Sequence, residues 1–495
     1  MSGADCMKLI RAWQETYHAH PDPRLQRCWN ILQVSLLLLP INGFLGTVGT
    51  LLAALTVWKQ RFRDLAQSPI AKGFLLLGLV MIISSLVAHH RLTALLGLAN
   101  FLPFFIVFPA LCELLQVPAQ LRRLAWILVI GSVPVVVIGL GQLFWGWAAE
   151  IRVLGVLVDI EIDAKGNPWG RMASTFFYAN VLAIYLTITF TLNLGLWIEA
   201  WESRRHPSSP MAKPWPDATK GVDRLAPPYP LTHRLFLSVA LAGNAVALVL
   251  TNSRNAWAIA LLVCLALAIY KSWRWLMVLL GVIAGSVLGA AFAPSPIGEG
   301  LRMVVPAFFW ARITDDLYPD RPTATLRVTL WKFAWDLAQQ RPWLGWGLNN
   351  FSPLYQEQMH IFRGHPHNLL LMLAAETGIP AMLMMLGLVG WIVYRGVKHL
   401  MHWQVSTRPT FPGPLRLSPA DASPSPSYRP IPTAITNDRL IYFTYLVAFL
   451  ACTVFSLSDV TLFDVRINIL GWLLLAAIAG VVNHATAVQE SLTRE

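Results

Sequence analysis

Nine polar residues in this chain have types and spacings suited to chemistry on an anionic substrate. Arg171 opens one apolar stretch, Arg254 sits in the three-residue break Asn252-Ser253-Arg254 between two others, and Arg312 and Arg327 lie in a long polar segment. His365, His367 and Asn368 stand at the mouth of the next apolar stretch, with Asp459 and Asp464 between the last two. Guanidinium groups present a fork of donors matched to phosphate or carboxylate oxygens, and an imidazole can take a proton from a hydroxyl near neutral pH. Each residue also has a plainer use. Arg254 could snorkel to set the depth of a tight turn, the other arginines could be solvated, and His367 could be interfacial. Asp315-Asp316, Asp459 and Asp464 lack metal-motif spacing, and ion pairing with the arginines is the better expectation. What favours chemistry is that these residues fall on one side of the chain's expected layout.

That layout follows from composition. The 495 residues are 56% hydrophobic and only 13% charged, too little charge for a soluble domain of this size. Apolar stretches long enough for membrane helices read as 28–58, 70–88, 92–115, 123–147, 172–198, 234–251, 254–270, 275–293, 368–394, 439–457 and 466–482. The first contains Pro40-Ile41-Asn42-Gly43, a turn signal, so it is either one long helix or a hairpin with arms of about 15 residues, short for a full span. Excess Lys and Arg mark the cytoplasmic side. With a hairpin, 25 of the 38 basic residues fall inside and 13 outside, seven of the latter in one long loop where the charge rule has little force. The hairpin is therefore preferred. The expected fold class is all-α, a polytopic transmembrane bundle of about 12 helices with both termini cytoplasmic.

The expected organisation is a cytoplasmic segment at 1–30, transmembrane helices over 31–293, an extracytoplasmic loop at 294–367, transmembrane helices over 368–482 and a tail at 483–495. Inner linkers at 203–230 and 404–436 are rich in Pro and Ser without apolar periodicity, as in disordered connectors. The outer loop differs. Leu326, Leu330, Phe333 and Leu337 recur at helical spacing beside Trp331 and Trp335, and Arg341-Pro342 ends the helix. This amphipathic helix is expected to lie along the membrane or to cap a cavity. No signal peptide is expected, because the first 30 residues are polar. The five cysteines are scattered, with neither metal nor disulfide spacing. The net charge of +12 belongs to loops, so no nucleic-acid partner is expected.

Arg327 to Gly378 resembles the signature block of the O-antigen ligase and O-antigen polymerase superfamily. An arginine opens an amphipathic helix, then come Arg341-Pro342-Trp343-Leu344-Gly345-Trp346-Gly347-Leu348-Asn349-Asn350-Phe351 and His365-Pro366-His367-Asn368, followed by Leu370, Leu373, Glu376 and Gly378. Three further segments, 167–176, 251–257 and 458–466, resemble the cyanobacterial IctB family. The superfamily resemblance implies metal-independent, cofactor-free transfer of a glycan from a polyprenyl-diphosphate carrier to an acceptor hydroxyl at the outer face of the plasma membrane. It implies Arg254 and Arg327 on the diphosphate, His367 on the acceptor, and Arg171, Arg312, His365 and Asn368 in substrate binding. The IctB resemblance implies instead a role in inorganic carbon accumulation, as a bicarbonate transporter. No internal repeat and no mid-span charge cluster of the kind that marks a carrier is visible in the sequence.

Overall fold

Pro40-Ile41-Asn42 does break the first apolar stretch. The computed structural model, which describes residues 20–153, 158–205, 230–314, 323–403 and 433–494, places helix α1 at Gln26–Leu38 and α2 at Gly43–Gln67. Asn42 caps α2, its Oδ1 accepting from Leu45 N at 3.0 Å. A Cβ on Gly46 would fall 2.7 Å from Leu39 Cα, so glycine is what lets the arms close this tightly. Arg61, at a kink in α2, pairs with Asp22 just before α1. Both open ends of the hairpin thus lie together.

The bundle continues with α3 (Pro69–Leu86), α4 (Arg91–Gly97), α5 (Leu102–Leu114) and α6 (Pro118–Phe144). A two-stranded antiparallel hairpin follows, β1 (Ala149–Val153) and β2 (Val158–Ile162), in the register Ala149↔Ile162 and Val153↔Val158. It was not anticipated. Then come α7 (Ala179–Arg205), α8 (Leu231–Leu250), α9 (Arg254–Tyr270) and α10 (Arg274–Phe292). Among its described residues the 294–367 segment holds four short α-helices, α11 (Ile297–Val304), α12 (Ala307–Ile313), α13 (Arg327–Gln340) and α14 (Phe351–Met359). The last elements are α15 (Leu369–Thr377), α16 (Ile379–Met401), α17 (Thr433–Ser456) and α18 (Val465–Arg494). The chain is thus all-α apart from the small hairpin, and nine helices among the described residues are long and apolar enough to cross a membrane, with the 17-residue α9 just shorter.

Two expected bounds differ in the structure. The stretch expected at 172–198 becomes helical only at Ala179, because residues 163–178 form an ordered loop. The tail expected at 483–495 continues α18 as helix to Arg494. Residues 206–229 and 404–432, most of the two expected linkers, together with 1–19 and Asp315-Asp316, lie outside the described residues.

Burial separates the centre from the rim. α7 and α18 are 83% buried over their most apolar windows and α10 only 11%, so the first two form the axis and α10 faces outward. Polar contacts mark two ends. At one end Arg122 holds Glu199 and Asp438 at 2.7 Å each, and Lys271 meets Glu202 at 2.6 Å. At the other end the 163–178 loop is fastened on four sides. Ala173 N and Ser174 N donate to Gln142 Oε1, Thr175 Oγ1 donates to Pro40 O, Met172 N donates to Leu250 O, and Arg466 donates to Thr175 O.

A second fastening locks the outer segment to the bundle. Trp346 N donates to Ala375 O, Gly347 N to Glu376 O and Ile379 N to Pro342 O, at 2.8–3.0 Å. Ser84 Oγ, near the end of α3, reaches both Leu344 O and Glu376 O. Because the C-terminal ends of α13 and α15 are joined here while the helices pack along one another through the Leu330, Phe333, Leu337 and Leu371 cluster, both helices point their N-termini the same way. Arg327 begins one and His367-Asn368 precede the other.

Candidate functional site

Asp459 is the hinge of the site. It follows α17, its backbone N donating to Phe455 O at 2.9 Å, and its side chain is 3% exposed. Oδ1 lies 2.7 Å from His367 Nδ1 and also accepts from Val460 N at 3.0 Å, while Oδ2 accepts from Asn180 Nδ2 at 2.6 Å. Burial works to raise the affinity of this carboxyl for a proton, but the hydrogen bond from His367, the charges of His367 and His365 and the bond from Asn180 together hold it below the ordinary carboxylate value. It is an anion at neutral pH, so His367 Nδ1 is the donor. In the neutral imidazole this tautomer leaves Nε2 as the acceptor.

His367 is held in a left-handed backbone conformation, φ +55°, an uncommon one for a non-glycine residue. Its N–H donates to His365 Nδ1 at 3.1 Å, and Asn368 next to it caps α15 through Leu371 N and also donates to Leu457 O. Asn368, expected to bind substrate, is therefore engaged in fixing the turn that presents His367. His365 stacks on Phe463, ring centroids 5.7 Å apart, and meets His367 edge-on at 4.5 Å. Its burial drives its pKa down to about 4, only partly offset by Asp459, with the neighbouring His367 lowering it further.

That depression carries a stability consequence. In the unfolded chain an imidazole titrates near 6.5, whereas folded His365 resists protonation until about 4. The unfolded state thus binds the extra proton first, and stability at this group falls as pH drops from 6.5 to 4. Thermal unfolding of the detergent-purified protein at pH 7 and pH 5 should show a lower midpoint at pH 5. A His365→Asn variant, which keeps an acceptor but cannot titrate, is expected to lose less over the same window.

From Asp459 the network runs on to Arg171. Arg171 Nη2 donates to Asn180 Oδ1 at 2.6 Å and its Nε to Thr251 O at 2.8 Å, so the guanidinium bridges the start of α7 and the turn that leads, three residues later, into Arg254. Asn252 Nδ2 reinforces this by donating to Gly170 O. The sequence segments 167–176, 251–257 and 458–466 thus converge on one network. Arg254 is the first residue of α9, half-buried. Over it lies α12, the helix that carries Arg312, with Phe308 and Phe309 each 5.3 Å from Trp257. Arg327 opens α13, half-buried, and the turn before it is anchored by Tyr355, whose hydroxyl donates to Ala324 O at 2.6 Å.

A cavity of about 360 Å³ opens beside the histidines, lined by residues from three segments including Tyr178, Asn180, Arg363, His365, His367 and Asp459. His365, His367 and Asp459 form a group whose ligand atoms lie within 4.8 Å of one another, close enough to hold a metal ion. Ligands at about 2 Å on a tetrahedral ion stand roughly 3.3 Å apart, whereas His367 Nδ1 and Asp459 Oδ1 stand 2.7 Å apart and satisfy each other. The arrangement is that of a hydrogen-bonded base. Asp464 pairs with Arg466 at 2.5 Å as an aspartate–arginine pair, but Asp459 departs from that expectation by taking histidines and an asparagine. Asn180 and Arg363 escaped notice in the sequence, because a single polar residue at a helix start and another in an aperiodic loop carry no spacing signal.

No curated protein matches the chain. Residues 237–386, which run from within α8 into α16 and include Arg254, Arg312, Arg327, Arg363, His365, His367 and Asn368 but not Arg171, Asn180 or Asp459, match the model of a family described as O-Antigen ligase. Over this stretch the polytopic membrane chain is similar to the O-antigen ligase family.

Proposed function

We propose that the protein is a membrane glycosyltransferase of the O-antigen ligase type, moving a glycan from a polyprenyl-diphosphate donor to an acceptor hydroxyl at the outer face of the plasma membrane. The observation that carries this reading is His367, held by Asp459 at 2.7 Å with Nε2 free beside a 360 Å³ cavity. His367 Nε2 takes the proton of the acceptor hydroxyl as its oxygen bonds to the anomeric carbon of the donor glycan. The bond from that carbon to the diphosphate breaks, and the polyprenyl diphosphate leaves with the electron pair. Arg254 and Arg327 bind the diphosphate and offset its growing charge, and His367 then passes its proton to the leaving group or to water. Arg171 positions rather than binds, since Thr251 O and Asn180 already engage it. The reaction asks for no metal or cofactor.

The outer placement is supported by charge. Arg122, Lys271 and their acidic partners lie at the end of the bundle opposite Asp459, and basic residues favour the cytoplasm. Both termini are accordingly assigned to the cytoplasm. Arg254→Ala and Arg327→Ala, each at equal expression, are expected to accumulate lipid-linked glycan and to deplete its polymeric or surface product. Unchanged glycan in both variants would remove the reading. The IctB-type alternative, inorganic carbon transport, draws on the three segments named above. Labelled bicarbonate uptake into proteoliposomes over empty vesicles separates the two, and the transferase reading expects none that saturates.

A further inference from the structure

The cavity contains an arginine that the sequence motifs did not single out. Arg363 lines it together with His367 and Asp459, and its Nε is buried without a hydrogen-bond partner. A buried donor left unmade costs free energy, more so on a charged group, which is tolerable in a binding residue whose partner arrives with the substrate. Other arginines nearby are committed. Arg171 holds Thr251 O and Asn180, and Arg466 holds Asp464 and Thr175 O. The two oxygens of Asp459 accept from His367, Val460 N and Asn180, not from Arg363.

A second observation gives the direction of the ligand. The Tyr355 hydroxyl, which anchors the turn before Arg327, feels the positive charge of Arg363. Arg363 and the N-terminus of α13 therefore face the same neighbourhood, and a helix N-terminus itself favours anions. A guanidinium in the cavity and a helix start close to the same tyrosine suit a phosphorylated ligand.

We propose that Arg363 is a substrate-binding residue of this cavity, gripping the diphosphate of the lipid-linked donor within reach of His367. This rests on the transferase reading and adds to it the residue through which the cavity itself holds the donor. Arg363 takes phosphoryl oxygens by charge-assisted hydrogen bonds.

The test is binding of polyprenyl diphosphate to the full chain in nanodiscs of zwitterionic phospholipid, for wild type, Arg363→Gln and Arg363→Lys. Arg363→Gln is expected to weaken binding about tenfold or more, the loss of one or two charge-assisted hydrogen bonds. Arg363→Lys should recover part of it by keeping the charge, which also guards against a folding defect in the Gln variant. Equal affinity in wild type and both Arg363 variants overturns the proposal while leaving the transferase reading standing. No binding to wild type over empty nanodiscs sinks both. Loss of the Arg363 effect when anionic phospholipid replaces the zwitterionic lipid, with wild-type affinity falling to that of Arg363→Gln, would assign the site to a lipid headgroup and overturn the donor assignment.

Discussion

His367→Ala is expected to lower glycan transfer about 10²–10⁴-fold, the usual worth of a positioned general base, while leaving donor binding intact. The effect is measured with purified protein, lipid-linked donor and acceptor, as kcat separated from KM. Asp459→Asn probes the same step from behind. An asparagine can offer its NH₂ to His367 Nδ1 where the carboxylate accepted from it, which turns the imidazole to the tautomer with Nε2 protonated and its lone pair misplaced. The variant should therefore lose most of kcat with little change in KM, although it is nearly isosteric. A wild-type kcat in either variant would dismiss His367 as the base. Asn180→Leu should give a smaller loss of the same kind, because it removes the amide that fixes Asp459 Oδ2 at 2.6 Å.

The second large effect is expected at Gly378, remote from that chemistry. It joins α15 to α16 at φ +88°, ψ 159°, a conformation open in practice only to glycine and worth about 1–3 kcal/mol against other residues. Space is closed as well, since a Cβ there would lie 2.3 Å from Trp343 O and 2.6 Å from Trp343 C. Both obstructing atoms are backbone, so neither can swing aside. Gly378→Ala must push Trp343–Gly347 off α15, breaking the bonds to Ala375, Glu376 and Pro342. We expect loss of the monodisperse peak in fluorescence-detected size exclusion and a lowered melting temperature. A variant that elutes and melts as wild type would show that the two segments are not coupled as described.

Sequence and structure agree most where a local rule governs. The turn at Pro40-Ile41-Asn42 was visible because proline and asparagine act on their own neighbourhood, and the charge count chose the hairpin that α1 and α2 form. The helix at Arg327–Gln340 followed from apolar spacing and ended at Arg341-Pro342. The β1–β2 hairpin was missed although Glu150-Ile151-Arg152-Val153 and Asp159-Ile160-Glu161-Ile162 alternate, since attention to long apolar runs passes over short alternating ones. In the site, His367 and Arg171 could be picked out by residue type and position. Asp459 was expected to meet an arginine, and Asn180 and Arg363 carry no signal of their own, because partnership across separations of 92 to 279 residues is decided by helix packing and leaves no mark in local spacing.

That long reach bears on how the protein is made. The Asp459–Asn180 bond joins residues 279 positions apart, and the Ser84 fastening spans 260 and 292. A chain entering the membrane from its N-terminus has Arg171, Arg254 and His367 in place while Asp459 is still on the ribosome. Until α17 and the loop after it arrive, His367 has no carboxylate to set its tautomer and Asn180 has only Arg171 to bind. In the proposed transfer, His367 would act only once that segment has joined the bundle, so chains lacking it could not draw on the donor pool.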